Sequence, residues 1–305
     1  MISASTRLLA VIGQPVRHSL SPVLQNIGIA ALGKDWCYLA LAVSADRLGD
    51  ALTGLDAIGA IGVNVTIPHK QAVMPLLAEV TPLARRIGAV NTLYRLTDGR
   101  WGGTNTDVEG FIAPLRPDAE RFRGGTAVIL GNGGSARAVV AAVLELGCRR
   151  ILVAGRNVRR LGAFVSHCRG WAPGLEGLAW EALQGQLRQA ALVVNCTPVG
   201  MHPDDDSSPL DPGCLDALQA GSCVYDLIYV PRPTRLLQQA TAHGCDGQDG
   251  LEMLVQQGAA ALRIWSGCQQ VDSAAMREGA LQALAARGGQ GRGQAVPSEP
   301  LASGL

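Results

Sequence analysis

Of the 26 Lys and Arg residues in this 305-residue chain, only Lys34 and Lys70 are lysines. Lys70 closes the run Asn64-Val65-Thr66-Ile67-Pro68-His69-Lys70. Arginine stays protonated at any working pH, whereas a lysine can release its proton when its surroundings lower its pKa. Lys70 is therefore a candidate proton donor, while Lys34, in Gly33-Lys34-Asp35, reads as a surface residue. Other hydrogen-bonding side chains gather in short clusters at 14–22, 64–70, 88–93 and 103–107. They offer hydroxyls, amides, one lysine and one carboxylate, Asp107. That donor and acceptor set suits a small polyhydroxylated molecule. Each cluster also has a plainer reading. Ser21-Pro22 suits a helix start with Ser at the N-cap. Asn91 and Asn105 suit turns, Asp107 suits another helix start, and His18 and His69 read as structural.

A second chemical signature follows the apolar run 126–130. There Gly131-Asn132-Gly133-Gly134-Ser135-Ala136 leads into an Ala/Val-rich segment. Gly131, Gly133 and Ala136 fit a G-x-G-x-x-G/A dinucleotide fingerprint. The first glycine permits a tight turn, the second lets the backbone approach a pyrophosphate, and the small third residue packs the helix on its strand. The phosphates then meet free N–H groups at a helix start. The second strand of such a unit is expected over 151–154. It leads into Gly155-Arg156-Asn157-Val158-Arg159-Arg160, with no acid to hold a ribose 2′-hydroxyl. Arginines clamp a 2′-phosphate bidentately, so the cofactor predicted is NADP(H) rather than NAD(H).

These groups need a frame. Short β-prone runs at 8–12, 37–43 and 62–67 alternate with Ala/Leu-rich segments at 21–32 and 46–58. After a Pro/Gly seam near 113–125 the alternation restarts, with strands expected at 126–130, 150–154, 190–195 and 222–228. Residues 251–286 read as helical. Repeated strand-helix-strand units predict an α/β fold with largely parallel sheets. Ligands in such sheets bind beyond the carboxyl ends of the strands, where the polar clusters fall. The expected division is 1–112 with 251–287 as a substrate-binding domain, 113–250 as a Rossmann-type nucleotide domain, and 288–305 as a disordered tail.

Composition excludes other classes. The formal net charge is +1, which gives no field for nucleic acid or an anionic membrane. The eight cysteines form no C-x-x-C pair and no zinc-site spacing, so no metal is expected. Scattered thiols fit a reducing cytoplasm. No signal peptide or membrane span is read.

Taken together, the motifs resemble the shikimate dehydrogenase family. The matching runs are HSLSP (18–22), NVTIPHK (64–70), GAVNTL (88–93), NTD (105–107), GNGGSARA (131–138), NCTPVGM (195–201), YDLIYVPRPTRLL (225–237) and DGLEMLVQQ (249–257). The resemblance implies NADPH-dependent reduction of 3-dehydroshikimate to shikimate, with Lys70 and Asp107 as the catalytic pair. It implies that Ser19 and Ser21 hold the substrate carboxylate with Tyr229. Asn64, Thr66, Asn91 and Gln257 match residues that bind ring hydroxyls. Cofactor positions extend over Gly131–Ala136, Arg156, Asn157, Arg160, Thr197 and Gly250. The chain departs from the pattern at Gln25, Gly155, Asn157 and Glu252. An NAD-linked quinate/shikimate dehydrogenase and a non-catalytic NADP-binding regulator stay open as alternatives, as does a monomer or a homodimer.

Overall fold

The computed structural model describes residues 2–290. The first half of the chain runs β1 (Arg7–Gly13), α1 (Ser21–Ala31), β2 (Trp36–Ala42), α2 (Leu48–Ala57), β3 (Gly62–Val65), α3 (His69–Ala72), β4 (Glu79–Val80), α4 (Pro82–Ile87), β5 (Thr92–Arg95), β6 (Trp101–Thr104) and α5 (Asp107–Ile112). Its six strands form one sheet in the order β2-β1-β3-β5-β6-β4. β1 pairs in parallel with β2 and β3. β1 has a nearly unbroken apolar run, Leu8–Ile12, because both of its faces are covered. β5 runs antiparallel to β3 and β6. The β5–β6 connection is a tight turn in which Gly99, with φ of 86°, takes the left-handed conformation.

The second half runs β7 (Thr126–Leu130), α6 (Gly134–Glu145), β8 (Arg150–Gly155), α7 (Val158–Cys168), β9 (Leu175–Ala179), α8 (Leu183–Leu187), β10 (Ala190–Asn195), α9 (Pro212–Asp216), β11 (Cys223–Asp226), α10 (Arg235–Ala242) and β12 (Asp246–Gln248). All pairings in its sheet are parallel, in the order β12-β11-β10-β7-β8-β9. This is the strand order of a Rossmann fold, which reverses direction between β7 and β10 and leaves a crevice there.

Two helices close the chain, α11 (Leu251–Ser266) and α12 (Ser273–Gln290). The expected helical stretch 251–286 is thus split, because Gly267 ends α11 in a left-handed cap. α12 carries the helix past 286 to Gln290, and the remainder of the expected tail lies outside the described residues. Both helices return to the first sheet: Val255, Leu262 and Met276 share a core with Leu9, Val11 and Leu24. α5 links the two sheets. Its Val108 and Phe111 lie in one apolar cluster with Ile129 and Val194 of the second sheet and Val139 of α6. The Phe111 ring stacks on Tyr225 at 4.7 Å and 13°.

Candidate active site

Lys70 sits on α3, a single turn just beyond β3, and Asp107 opens α5. The Lys70 ammonium donates to Asp107 Oδ2 at 2.7 Å, with side chains 13% and 6% exposed. Withdrawing two charges from water costs several kcal/mol per ion, so the remaining lone pairs must be satisfied. Asn91 Nδ2 supplies this by donating to Asp107 Oδ1 at 2.8 Å. Asn91 is held in turn by the Thr106 backbone N–H, which donates to its Oδ1 at 2.7 Å. The Asp107 N–H donates to Asn105 Oδ1 at 3.0 Å. A lysine has three donors, so the ion pair leaves two for a ligand. Asn91 and Asn105, which also suited turns, are therefore bracing groups. The helix start expected at Asp107 falls one residue earlier, with Thr106 at the N-cap and no side-chain cap bond.

Asn64, at 6% exposure, joins the same layer. It donates to the Asn91 carbonyl at 3.1 Å and to Thr92 Oγ1 at 3.0 Å. Its Oδ1 accepts from the Tyr38 hydroxyl at 2.7 Å. Tyr38 and Thr92 were not singled out from the sequence. Their signal was weak: Tyr38 is one aromatic in an apolar strand, and Thr92 merely follows Asn91. Burial pushes the Tyr38 hydroxyl well above its ordinary value, so it remains a donor.

Ser19 and Ser21 lie together: the Ser21 N–H donates to Ser19 Oγ at 3.1 Å. Ser21 is not the N-cap of α1. The chain enters through helical Leu20, which places Ser21 inside the first turn and leaves its hydroxyl without a capping bond. Tyr229 comes to this corner from the loop after β11. Burial raises its hydroxyl pKa, while a backbone hydrogen bond at Leu20, between the two serines, lowers it. Thr66 ends the β3 strand region, its N–H donating to the Ile12 carbonyl at 2.9 Å. Gln257, buried on α11, donates to Leu254 O at 2.7 Å. His69 is buried and bonds the Val43 carbonyl at 2.7 Å, the structural role expected of it.

The nucleotide fingerprint lies at the crevice between β7 and β10. Gly131 has φ of 97°, and the space where a Cβ would project is 3.0 Å from the Thr197 methyl. Gly133 faces open space and flanks the start of α6, where no side chain occupies the free N–H groups. Asn132 Nδ2 is buried without a partner. A backbone cradle, a vacant helix start and an orphaned amide fit a dinucleotide pyrophosphate. Arg156, just past β8, and Arg159 and Arg160, in the first turn of α7, are all exposed. Asn157 caps α7, accepting from the Arg160 N–H at 2.9 Å. Gly250 has a packing reason to be glycine: a Cβ there would collide with the Leu227 carbonyl. Lys70 connects the halves, its Cδ being 3.7 Å from the point a Gly134 Cβ would occupy. The lysine and the glycine-rich turn therefore face one another.

A parallel six-stranded Rossmann sheet, a glycine cradle and a lysine–carboxylate pair across the crevice define a dinucleotide-dependent oxidoreductase architecture. Comparisons with known proteins narrow this class. Residues 11–93 match the family profile described as shikimate dehydrogenase substrate binding domain, and 250–280 match shikimate 5'-dehydrogenase C-terminal domain. The shikimate dehydrogenase (NADP(+)) of Trichormus variabilis is 53% identical over 269 residues, 87% of this chain and 92% of that protein. The Thermus thermophilus shikimate 5-dehydrogenase, solved in complex with NADP(H) and shikimate, superposes with a TM-score of 0.81 at 36% identity. It covers 91% of this chain and 100% of its own. The quinate dehydrogenase of Corynebacterium glutamicum, in complex with NAD, gives a TM-score of 0.83 at 31% identity over 91% of this chain and 99% of its own. The chain belongs to the shikimate dehydrogenase family.

Proposed function

We propose that this protein catalyses the reversible, NADPH-dependent reduction of 3-dehydroshikimate to shikimate in aromatic amino acid biosynthesis. The observation that carries the reading is the Lys70–Asp107 ion pair facing the Gly131–Ala136 turn. When bound, NADPH supplies the hydride. The residues of the chain do the rest. Reduction builds negative charge on the substrate carbonyl oxygen, and Lys70 stabilises it and donates the proton. Asp107 orients the ammonium and accepts from a neighbouring hydroxyl, braced by Asn91. Ser19, Ser21 and Tyr229 hold the substrate carboxylate, and Asn64, Thr66, Asn91 and Gln257 bind its hydroxyls. Asn132, Gly134 and Ser135 line the diphosphate turn with Gly131, Gly133 and Ala136. Arg156, with Asn157 and Arg160, holds the 2′-phosphate, and Thr197 and Gly250 complete the nicotinamide side.

Residues 1–112 with 251–287 act in this reading as the substrate unit, and 113–250 as the nucleotide unit. Among the described residues, no helix is long and apolar enough to cross a membrane, and no group of three His, Cys, Asp or Glu could hold a metal ion. The working location proposed is the cytoplasm, as a monomer or homodimer. The test is the absorbance change during shikimate oxidation with NADP+, run beside NAD+ and beside quinate. Turnover of shikimate with NADP+ well above the other pairs is expected. Preference for quinate with NAD+ would replace the reading, and absence of turnover with every pair would make the chain a binding protein.

A further inference from the structure

Asp226 ends β11 with no exposed surface, and no role in the chemistry above uses it. Its carboxylate joins two loops. Asn195 Nδ2, at the end of β10, donates to Asp226 Oδ1 at 3.0 Å. The same Asn195 accepts at Oδ1 from both the backbone N–H and the hydroxyl of Thr197, at 2.9 and 2.7 Å. Asn195 Nδ2 also donates to the Val199 carbonyl at 3.3 Å. The loop after β10 is thereby fixed against Gly131 of the nucleotide turn. On the other side, the Ile228 N–H donates to Asp226 Oδ1 at 3.1 Å, and the Thr234 hydroxyl donates to Oδ2 at 2.7 Å. These two contacts bracket residues 228–234, the loop that carries Tyr229. The Gly250 N–H donates to the Ile228 carbonyl at 3.1 Å and closes that loop from behind.

A buried carboxylate is costly to keep, and each of its hydrogen bonds restrains the group that donates. Asn195 and Thr234 are both fully buried, so neither has water as a substitute partner. Loss of one partner would leave the others unsatisfied rather than rehydrated.

We infer that Asp226 is a positioning residue that holds the cofactor-side loop of Thr197 and the substrate-side loop of Tyr229 in one fixed relation. The inference rests on the reading of Thr197 and Tyr229 as ligand-facing groups. Removing the carboxylate should then weaken both ligands together, while the chemical step, which uses Lys70 and Asp107, changes little.

Steady-state kinetics of shikimate oxidation with NADP+ tests this in wild type, Asp226→Ala, Asp226→Asn and Thr234→Val. Asp226→Ala is expected to raise both KM values about tenfold, the scale of losing hydrogen bonds to a charged acceptor, with kcat within about threefold. Asp226→Asn can still accept from Asn195 and Ile228 through its oxygen and donate to Thr234, so both KM values should return to within about twofold of wild type. Thr234→Val cuts the Tyr229 side, together with the cap bond that Thr234 Oγ1 accepts from the Leu237 N–H of α10, and leaves Asn195 on Asp226. It should raise the KM for shikimate and leave that for NADP+ in place. A folded Asp226→Ala protein that moves one KM or neither would overturn the inference. Where that variant fails to fold, a Thr234→Val protein that shifts both KM values equally, or neither, overturns it instead. Wild-type enzyme without shikimate turnover removes the functional reading itself, and this inference with it.

Discussion

Lys70 and Asp107 are 37 positions apart in sequence and meet at 2.7 Å in a largely dehydrated layer. β3 delivers one and the helix bridging the two sheets delivers the other. Each is therefore tied to a different part of the frame, and the pair exists only when the first sheet and α5 are assembled. Asn91 secures Asp107 from the far side, so the ammonium is aimed rather than merely neutralised.

The Lys70→Ala variant should lose kcat by about 10²–10⁴-fold, the usual worth of general acid/base help, with little change in KM. Lys70→Arg should fail similarly, because arginine keeps the charge but does not release the proton. Shikimate oxidation rates at saturating NADP+ and shikimate measure both. Near-wild-type turnover in either variant would exclude Lys70 as the proton donor.

Arg156 stands exposed at the end of β8, with no acid among residues 155–160. Arg156→Asp should lower the preference for NADP+ over NAD+ by about tenfold or more, by losing a charge-assisted bond and adding repulsion. The ratio of kcat/KM values with the two cofactors is the measurement. An unchanged ratio would assign the 2′-phosphate to other residues.

Gly250→Ala places a methyl group against the Leu227 carbonyl, two residues before Tyr229. Overpacking of this kind costs about 1–3 kcal/mol. The variant should melt at a lower temperature and show a raised KM for shikimate. A melting temperature matching wild type would mean that the loop yields without cost.

Asp226 also makes a prediction about pH. Burial raises its carboxyl pKa from the ordinary value to about 6, against the lowering effect of hydrogen bonds from Thr234, Ile228 and Asn195; Asp249 nearby adds to the rise. A raised folded-state pKa means that the folded chain keeps a proton which the unfolded chain has already released. Stability attributable to Asp226 is therefore full below about pH 4, falls as pH rises toward 6, and stays lost above that. Asp226→Asn removes this dependence. The melting temperature of the variant relative to wild type should rise between pH 4.5 and pH 7.5, read by calorimetry as roughly a few degrees. A difference that is the same at both pH values would contradict the buried-carboxylate account.

Much of the frame was legible in the residues. Apolar runs marked β1, β7, β8 and β10 to within a residue or two, because strands buried on both faces need continuous Val, Ile and Leu. The short strands β4, β9 and β12 were not legible. They are two to five residues long, partly exposed, and defined by their neighbours rather than by their own apolar pattern. The β5–β6 hairpin was missed for a related reason. Its residues are interleaved with the polar clusters, and the Asp98-Gly99 turn that signals it was overshadowed.

By itself, the sequence determined the glycine turn with its arginines, the apolar parallel strands within the two sheets, and the identities of Lys70 and Asp107. These depend on local backbone chemistry and on motifs contiguous in the chain. Tertiary structure alone decided that Tyr38, from β2, would brace Asn64, that Asn91 would lock Asp107, and that Asp226 would link the Thr197 and Tyr229 loops. Such contacts join residues from separate elements, and their strength comes from exclusion of water, which exists only after the sheets and helices have packed.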